Sequence, residues 1–449
     1  MVTFSHDGPG TQAEDWAAHP RAATMPGLDL DPDDVDRLVV LAAHPDDESL
    51  GAGGLLARAH RRGIVVDVVA ATDGEASHPS SPSYSAAELA SMRRAELRCA
   101  IDVLAPAATL HHLGLPDGGL AEHEEDLLTA LVGLVGDGRR TLVVAPWRHD
   151  GHSDHDAAGR AAAATAARTG ARLLEYPVWH WHWGEPATAP WEHFRVVHLD
   201  DAESAAKANA QGAHRSQVEP LSEQPGDEVL LGGNLLRHFA GTSEIYVAEA
   251  PTDLALDDLH ARDRDPWGAD SRWYEARKRS LLLAALPRAS FRHGLEVGSS
   301  TGAFAAQLSA RCQDLLVVDA SSHAVAAART RLRDLDTVRV ERAVVPHEWP
   351  ATPENGFDLI VMSEVGYFLS PRDLDDVVER IRASLAPDGV LVLCHWRHDV
   401  VGWPLDGPAV HDVVTAADVR PVIARYRDRD VEMLVLAAPA ELPDPRGNG

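Results

Sequence analysis

The sequence has few cysteines and no long apolar segment, and each shortage excludes a class of protein. Its 3 cysteines, Cys99, Cys312 and Cys394, are far apart and odd in number, which indicates a reducing compartment rather than a disulfide framework or a cysteine metal cluster. No uncharged apolar run approaches the roughly 18 residues of a membrane span, and the N-terminus lacks the basic-then-apolar pattern of a secretory signal. We therefore expect a cytoplasmic protein without a membrane span.

Basic residues are also scarce. Lysine occurs only at Lys207 and Lys278, and the formal net charge is −28 at pH 7. Because binding to a phosphate backbone requires clustered Lys and Arg, we expect no nucleic-acid partner. The 449 residues exceed what one hydrophobic core usually holds, so the length predicts two domains.

From residue 37 onward, apolar runs that suit buried strands alternate with helical segments. The predicted strands are Arg37–Ala42, Ile64–Ala71, Leu110–Leu113 and Thr141–Trp147, and the helices between them include Ser49–Arg62, Ala86–Leu104 and Glu124–Val135. This alternation predicts a doubly wound parallel sheet of the α/β class, in which ligands bind beyond the carboxyl ends of the strands. Residues 1–36 are polar and rich in Gly and Pro, and they are predicted to form a partly ordered arm.

An imidazole and three acids follow the first predicted strand, in the stretch His44-Pro45-Asp46-Asp47-Glu48. His44 and Asp47 can converge on one cation across the turn at the proline, which leaves Asp46 beside it as an unligated carboxylate. Catalytic zinc needs three protein ligands and a water, so another strand end must supply the third ligand. His152-Ser153-Asp154-His155, after the strand Thr141–Trp147, supplies it. The alternative is that these residues only cap a helix and favour its dipole.

The two motifs together resemble the PIG-L/LmbE-like family of zinc-dependent N-acetyl-sugar deacetylases, over roughly residues 37 to 250. The second motif of that family usually reads His-Pro-Asp-His, and Ser153 departs from it at a position that is not a ligand. The resemblance implies the PIG-L-type deacetylase fold and a set of catalytic and metal-binding residues. The implied residues are His44, Asp47 and His155 as Zn²⁺ ligands, Asp46 as the general base and His152 as the group that polarises or protonates the acetamide oxygen.

The resemblance also implies which residues line the sugar site. These are Asp73 and Asp117, on the loops after the second and third strands, and Arg93 or Arg94 on the helix between them. Without the resemblance, an Arg on a helix face is more often a solvated charge. The segment Trp179-His180-Trp181-His182-Trp183 is predicted as a strand whose three indoles share one face and stack on sugar rings; the alternative is an aromatic edge of the core.

Residues 251–265 are charged and lack a strand pattern, which predicts a linker before a second domain at residues 266–449. In that domain a strand ends at Glu296, and a loop from Gly298 through Ser300 to Gly302 opens the next helix. Glycine lets a backbone approach a ligand closely. Asp319 follows Gly298 by about 20 positions, where nucleotide-binding units hold ribose hydroxyls. These features fit either a dinucleotide or S-adenosylmethionine.

The later strands, Phe357–Ser363 and Leu385–Leu393, resemble those of class I S-adenosylmethionine-dependent methyltransferases. Further motifs narrow the resemblance to the nodulation protein S-like type, which N-methylates the free amine of deacetylated chito-oligosaccharides. These motifs are Trp267, Trp273-Tyr274-Glu275, Glu348-Trp349-Pro350, Ser363-Glu364-Val365-Gly366-Tyr367 and His395-Trp396-Arg397. The alternative is a Rossmann-like domain that only packs or binds another nucleotide.

This second resemblance implies two groups of site residues. The cofactor contacts are Glu296, Gly298, Ser300, Gly302, Asp319 and Ser363. The candidates for removing or steering the proton of the acceptor amine are Glu364, Tyr367 and His395.

The two domains predict a bifunctional enzyme that uses Zn²⁺ and S-adenosylmethionine on a small amino-sugar or glycoconjugate substrate. Deacetylation exposes a primary amine, and an amine is what the second domain would methylate. One alternative is that the domains act on different positions of a natural product, with methylation of oxygen. The other is that one domain is a non-catalytic scaffold or cofactor sensor.

Overall fold

The computed structural model describes residues 10–31 and 33–439 and divides the chain into two compact units, Met1–Thr252 and Asp253–Gly449. Each unit contains one seven-stranded sheet, and the two sheets have the same strand order. The prediction of two Rossmann-like α/β domains is therefore confirmed. Among the described residues, no helix combines the length and the apolar character needed to cross a membrane.

The first sheet has the order β3-β2-β1-β4-β5-β7-β6. Its strands are β1 Arg37–Ala42, β2 Val65–Thr72, β3 Thr109–Leu115, β4 Thr141–Pro146, β5 Arg172–Tyr176, β6 Phe194–His198 and β7 Ser243–Val247. Strands β1 to β5 are parallel to one another, whereas β7 pairs antiparallel with both β5 and β6. The order reverses between β1 and β4, which is the position where such sheets bind ligands.

The second sheet has the order β10-β9-β8-β11-β12-β14-β13. Its strands are β8 Phe291–Val297, β9 Cys312–Asp319, β10 Val338–Arg342, β11 Phe357–Ser363, β12 Leu385–Trp396, β13 Val422–Arg427 and β14 Val431–Leu436. Here the strand order reverses between β8 and β11. Strand β14 pairs antiparallel with β12 and β13, and the other adjacent pairs are parallel.

The helices cover both faces of each sheet. In the first unit they are α1 Ala13–Ala18, α2 Asp47–Gly51, α3 Gly53–Arg61, α4 Ala86–Leu104, α5 Glu124–Val135, α6 Ser153–Thr169, α7 His180–Trp183, α8 Asp201–Ala213, α9 Arg215–Val218 and α10 Gly233–Arg237. In the second unit they are α11 Ala255–Arg262, α12 Trp273–Ala285, α13 Ala305–Leu308, α14 Ser322–Leu332, α15 Pro371–Ser384 and α16 Gly407–Ala416.

The cores lie between the sheets and these helices. Side chains along a strand point alternately to its two faces, so Leu38 and Val40 join one apolar cluster of the first unit while Val39 and Leu41 join the other. All four are fully buried. Burial on both faces explains why the strand reads as a continuous apolar run rather than an alternating one.

The helix predicted at Ser49–Arg62 is two helices, α2 and α3, separated at Ala52, whose φ is −135°. The break leaves the first N–H groups of α3 without partners inside the helix. Glu244 of β7 is the partner of two of these groups: its carboxylate accepts from Gly54 N–H at 2.7 Å and from Leu55 N–H at 2.9 Å. A partner 190 residues away cannot be read from the local pattern.

The N-terminal arm and the linker carry more structure than their composition predicts. In the arm, Trp16 is buried at 5% exposure, and its indole N–H donates to Trp181 O at 2.9 Å. Residues 1–9 lie outside the described residues. The stretch predicted as a linker contains α11, which packs against α14 of the second unit and receives a hydrogen bond at Asp257 from Ser321 Oγ at 2.6 Å.

Candidate active sites

The carboxyl ends of β1 and β4 bring the three predicted metal ligands together. Ligand atoms of His44, Asp47 and His155 all lie within 4.8 Å of one another. Asp47 stands between the two imidazoles, with one oxygen 3.6 Å from His44 Nδ1 and the other 3.3 Å from His155 Nε2. His155 is fully buried, and its Nε2 has no hydrogen-bond partner among the described residues. A buried imidazole nitrogen without a hydrogen-bond partner fits a metal ligand.

Each of the two imidazoles has a carboxylate against its other nitrogen. Asp150 Oδ2 lies 2.7 Å from His155 Nδ1, and Asp154 Oδ2 lies 3.1 Å from His44 Nε2. Such a carboxylate holds the hydrogen on the nitrogen it faces and leaves the other nitrogen for the metal. Sequence reasoning missed both acids, although their alternation with histidine between residues 149 and 155 was a signal that could have revealed them.

The electrostatics of this centre favour a cation. Burial opposes the charged form of His155, but the charge of Asp47 and the hydrogen bond to Asp150 outweigh burial and raise its pKa to about 10. Burial likewise opposes charge on His44, and hydrogen bonds to Asp117 and Asp154 raise its pKa well above the usual value. Without a metal, these sites hold protons instead. A divalent ion would take the place of those protons.

Asp46, the predicted base, is buried and has an unusual backbone. Its φ is 138°, a region that a side chain rarely adopts. Arg93 holds the acid by donating from Nη2 both to Asp46 Oδ2 at 3.1 Å and to Pro45 O at 2.7 Å. Burial raises the pKa of Asp46, and the charge of Arg93 opposes that shift. Arg93, which was predicted to line the sugar site, is buried at 3% exposure and contacts the predicted base.

His152 caps α6 and lies against both metal-site imidazoles. Its ring centroid is 5.1 Å from that of His44 and 4.7 Å from that of His155. Its Nδ1 accepts the N–H of Asp154 at 3.2 Å, which leaves the ring hydrogen on Nε2. Burial and the neighbouring imidazoles lower its pKa to about 2. The ring is therefore neutral, and its Nε2–H is available to donate to a carbonyl oxygen.

The two predicted sugar-site acids follow strands β2 and β3, which end at Thr72 and Leu115. Asp117 Oδ1 lies 3.1 Å from His44 Nε2, so His44, Asp117 and Asp154 form a second group with cation-binding spacing. His44 takes part in both groups, through a different nitrogen in each. Asp73 accepts from Arg94, the exposed neighbour of Arg93, and its other oxygen lies 3.6 Å from His112 Nδ1. Both acids therefore lie at the carboxyl edge of the sheet, and Asp117 lies beside His44.

The prediction that Trp179, Trp181 and Trp183 share one face of a strand is wrong. Residues 180–183 form α7, and helical spacing stacks Trp179 on Trp183, with ring centroids 5.2 Å apart. Trp181 turns the other way and packs edge-on against Trp16 at 4.8 Å. The cause is Asp150, whose carboxylate accepts the N–H groups of residues 178, 179 and 180 at 2.8 to 2.9 Å. Those bonds hold the turn that begins the helix.

In the second unit, the loop between β8 and α13 carries three of the predicted cofactor residues. Gly298, Ser300 and Gly302 have φ of 76°, 48° and 73°, so the backbone coils tightly at the end of β8. Asp319 holds this coil by accepting from Ser300 N–H at 2.8 Å. Several buried oxygens lack a hydrogen-bond partner among the described residues: Glu296 Oε2, Ser299 Oγ, Ser300 Oγ and Thr301 Oγ1. A polar ligand that contacts this loop would satisfy them.

Glu364 is the first residue after β11, the strand that pairs with β8, and its φ is 58°. Its Oε1 accepts from Lys278 Nζ at 2.9 Å. Its Oε2 accepts from Tyr367 Oη at 2.5 Å and from Trp396 N–H at 2.8 Å. Ser363 ends β11 in register with Cys394 of β12. Glu364 and Tyr367, two of the predicted methyl-transfer residues, are thus in direct contact.

In His395, the third predicted methyl-transfer residue, both ring nitrogens contact other residues. Its Nε2 accepts from Gly366 N–H at 3.1 Å, and its Nδ1 lies 3.0 Å from His411 Nε2. It is fully buried, and burial together with Lys278 lowers its pKa to about 3. This environment suits His395 better to holding the Gly366–Phe368 turn than to accepting a proton.

Comparison with known proteins finds a family-model match in each unit. Residues 39–166 match the family model of the GlcNAc-PI de-N-acetylases (PIG-L), and residues 248–409 match that of nodulation protein S. The chain is 31% identical over 177 residues to nodulation protein S of Rhizobium tropici, a match that covers 36% of this chain and 73% of that protein.

Two further similarities are to a deacetylase and to an N-methyltransferase. The chain is 33% identical over 171 residues to the 1D-myo-inositol 2-acetamido-2-deoxy-alpha-D-glucopyranoside deacetylase of Mycobacterium sp. (strain KMS), covering 33% of this chain and 54%, about half, of that enzyme. Among solved structures, the N-methyltransferase NodS of Bradyrhizobium japonicum WM9 in complex with S-adenosyl-L-homocysteine is 23% identical and matches 41% of this chain and 97% of its own, with a TM-score of 0.36.

Proposed function

We propose that this chain, which belongs to the nodulation protein S family through its second unit and carries a PIG-L de-N-acetylase domain in its first, deacetylates an amino sugar and then methylates the freed nitrogen. It is a bifunctional enzyme, with one deacetylase and one methyltransferase domain. Its cofactors are Zn²⁺ and S-adenosylmethionine. The order of the two reactions and the identity of the methylated atom are the parts that we propose.

The observation that carries the first activity is the convergence of His44, Asp47 and His155. Two imidazoles and one carboxylate are a common protein ligand set for catalytic zinc. Bound zinc supplies a Lewis acid that polarises the acetamide carbonyl and lowers the pKa of water. Asp150 and Asp154 orient the two imidazoles from behind.

The remaining residues of this centre move the protons. Asp46 takes a proton from the attacking water, and Arg93 fixes its carboxylate in place. His152 donates its Nε2 hydrogen toward the carbonyl oxygen as that atom gains negative charge. The carbon–nitrogen bond then breaks, Asp46 returns the proton to the leaving nitrogen, and the products are acetate and the amine. Asp73 and Asp117 contact the sugar hydroxyls.

In the second unit, Glu296, Gly298, Ser300, Gly302, Asp319 and Ser363 contact S-adenosylmethionine, with Asp319 at the ribose. Glu364 binds the acceptor amine, and Tyr367 keeps the carboxylate oriented through the bond at Oε2. The nitrogen lone pair attacks the methyl carbon, the carbon–sulfur bond breaks, and S-adenosylhomocysteine leaves. The amine must lose a proton in this process, and the Glu364 carboxylate accepts it.

The chemistry of nitrogen sets the order. In an acetamide the lone pair is delocalised into the carbonyl, so the nitrogen is a poor nucleophile toward a sulfonium methyl group. The freed amine, if its pKa resembles the roughly 7.7–8.0 of an α-amino group, is mostly protonated at neutral pH and suits a carboxylate partner. Deacetylation therefore precedes methylation.

The test is a pair of labelled-methyl assays on the His44→Ala variant of the full chain. One assay uses an N-acetylated amino sugar and the other uses the same sugar already deacetylated. We expect label only on the deacetylated sugar, whereas the wild type labels both. His123→Ala, which changes a partly exposed histidine of the same unit, is the matched control and should behave as the wild type. Label on the N-acetyl sugar in His44→Ala would contradict the order and favour methylation of oxygen.

A further inference from the structure

Lys278 of α12 lies between two carboxylates. Its Nζ donates to Glu275 Oε1 and to Glu364 Oε1, each at 2.9 Å, and its side chain is 8% exposed. Burial opposes the charged form of this lysine, but the charges of Glu364 and Glu275 outweigh burial and raise its pKa. Lys278 is therefore a fixed cation beside the residue that binds the acceptor amine in the proposed function.

The two oxygens of Glu364 differ in how many donors they already have. Oε2 accepts from Tyr367 Oη at 2.5 Å and from Trp396 N–H at 2.8 Å, which fills both of its lone pairs. Oε1 accepts from Lys278, and its other donor among the described residues is Tyr274 Oη at 3.5 Å, the outer limit of a hydrogen bond. The Glu364 side chain is 20% exposed, so a ligand can reach it. The oxygen that can accept from a ligand is therefore the one that Lys278 contacts.

An amine that binds Glu364 at Oε1 shares this oxygen with Lys278. Two donors at hydrogen-bond distance from separate lone pairs of one oxygen lie about 5 Å apart. At that distance two positive charges repel each other, and the repulsion is stronger in a mostly buried site than in water. The charge of Lys278 therefore acts directly on the protonation of the bound amine.

The tyrosines around Glu364 add no charge near neutral pH. Burial and the charge of Glu364 raise the pKa of Tyr274 and of Tyr367 well above the usual value of a tyrosine. Asp428, whose charge also acts on Tyr274, is paired with Arg277 at 2.8 Å.

The titratable residues of β12 beside Lys278 are neutral as well. Burial and the charge of Glu364 raise the pKa of the Cys394 thiol, and burial together with Lys278 lowers the pKa of His395 to about 3. Among the described residues, the charges that lie against Glu364 Oε1 are therefore those of Glu275, Glu364 and Lys278.

Without the lysine, two carboxylates would stabilise the ammonium form of an amine at this position. An ammonium ion has no lone pair and cannot attack the methyl carbon. A neighbouring cation disfavours the protonated form of an amine and makes it a better nucleophile. Resting on the proposed function of the second unit, we propose that Lys278 promotes methyl transfer by disfavouring the ammonium form of the acceptor amine at Glu364.

The lysine acts as a positioning residue, because it takes no part in making or breaking bonds. The ammonium passes one proton to Glu364 and gains a lone pair. That lone pair forms the bond to the methyl carbon as the carbon–sulfur bond breaks. Lys278 makes the first of these steps more favourable and holds Glu364 Oε1 in place.

The test is the pH dependence of methyl transfer, measured in single turnovers of the full chain with labelled S-adenosylmethionine and saturating glucosamine. Such rates report the groups of the bound complex. The wild-type rate should rise with pH as the bound amine loses its proton, and then level off. Lys278→Met should move this rise to higher pH by about one to two units, because only the two acids remain. Lys278→Arg, which keeps the charge, should restore the wild-type position.

A second substitution on the same contact should act in the opposite direction. Glu275→Gln removes one acid and keeps the lysine, so the rise should move to lower pH. A purely structural role of the contact would lower the rate in both variants without moving the rise. Arg277→Met, on the same helix but paired with Asp428 at 37% exposure, is the control and should keep the wild-type profile.

Three outcomes would overturn the role of Lys278. These are an unchanged rise in Lys278→Met, a rise that moves to higher pH or stays in place in Glu275→Gln, and an equal shift in Arg277→Met. If Lys278→Met does not fold, the direction of the shift in Glu275→Gln decides. Failure of the wild type to methylate glucosamine would instead contradict the proposed function, and this role with it.

Discussion

Glu48 Oε1 lies 3.1 Å from His214 Nε2, although 166 residues separate the two, and both side chains are buried. The other oxygen of Glu48 accepts the N–H of Asp46 at 3.0 Å. Ser49 Oγ donates to Glu48 Oε1 at 2.6 Å, so both oxygens are held. The carboxylate is therefore in position to hold Asp46 at its φ of 138°. A non-glycine residue keeps such a conformation only where its surroundings impose it.

We expect Glu48→Ala to lower kcat of deacetylation on the order of 10- to 100-fold, because a small displacement of a catalytic group has effects of this size. Zinc content and KM should change little, since Glu48 contacts neither the metal ligands' donor atoms nor the sugar-site acids. Glu48→Gln keeps an oxygen for the Asp46 N–H and is the matched control. Steady-state kinetics with zinc analysis distinguish the two. A full rate in Glu48→Ala would show that Asp46 does not depend on this contact.

The second prediction concerns the metal ligands and the acids behind them. His44→Ala or His155→Ala should lose both zinc and deacetylation. Asp150→Asn should keep the site but weaken zinc binding about 10- to 100-fold, because the acid that orients His155 is replaced by an amide. The effect is measured as the zinc that each variant retains after dialysis against chelators of increasing zinc affinity. Glu124→Gln, at a partly exposed ion pair with Arg160, is the control, and equal retention in Asp150→Asn would contradict the role of Asp150.

A third prediction separates the base from the ligands. Asp46→Asn should bind zinc as the wild type does but lose rate on the order of 10²–10⁴-fold, because an amide cannot accept the proton from water. Zinc analysis and deacetylation kinetics on the same preparation check it. Full activity in Asp46→Asn would mean that another group is the base.

The fourth prediction is a pH dependence of stability. Burial and the charge of Asp319 raise the pKa of Glu296 to about 8, from 4.5 in an unfolded chain. Between these values the folded protein keeps a proton that the unfolded chain has lost, so this group makes the protein less stable as pH rises from 4.5 to 8. Above pH 8 the loss levels off.

Glu296→Gln should remove that dependence. Relative to the wild type it should gain stability with rising pH, by on the order of a few kcal/mol across the window. Thermal unfolding of both proteins in the absence of ligand, at pH 5, 6.5 and 8.5 (roughly the ends and the middle of the window), is the measurement. Parallel pH profiles for the two proteins would show that Glu296 is ionised in the folded state.

The fifth prediction tests whether the units are independent. Each has its own sheet and its own apolar clusters, so a cut between Thr252 and Asp253 should give two soluble fragments. The first should bind zinc, and the second should bind S-adenosylhomocysteine. Asp319→Ala should weaken only the second. An insoluble fragment would place the boundary elsewhere or show that the units need each other.

Local sequence determined the elements that depend on local pattern. The helices Ala86–Leu104 and Glu124–Val135 and the strand Arg37–Ala42 form at the predicted residues. Apolar runs, helical spacing and Gly or Pro at the ends act over a few residues, so they can be read without knowing the fold. The motifs at the ends of β1 and β4 could also be read, because parallel strands end at one edge of a sheet.

Only the tertiary structure decided which groups surround those motifs. Asp150, Arg93 and His214 act on His155, Asp46 and Glu48 through contacts that depend on how distant segments fold together. The same is true of Trp181, which faces away from its two neighbours because Asp150 holds the start of α7. The sequence by itself determined which residues carry the chemistry, since that depends on residue type and spacing. Burial and long-range hydrogen bonds, which exist only in the folded chain, decided how those residues are oriented and charged.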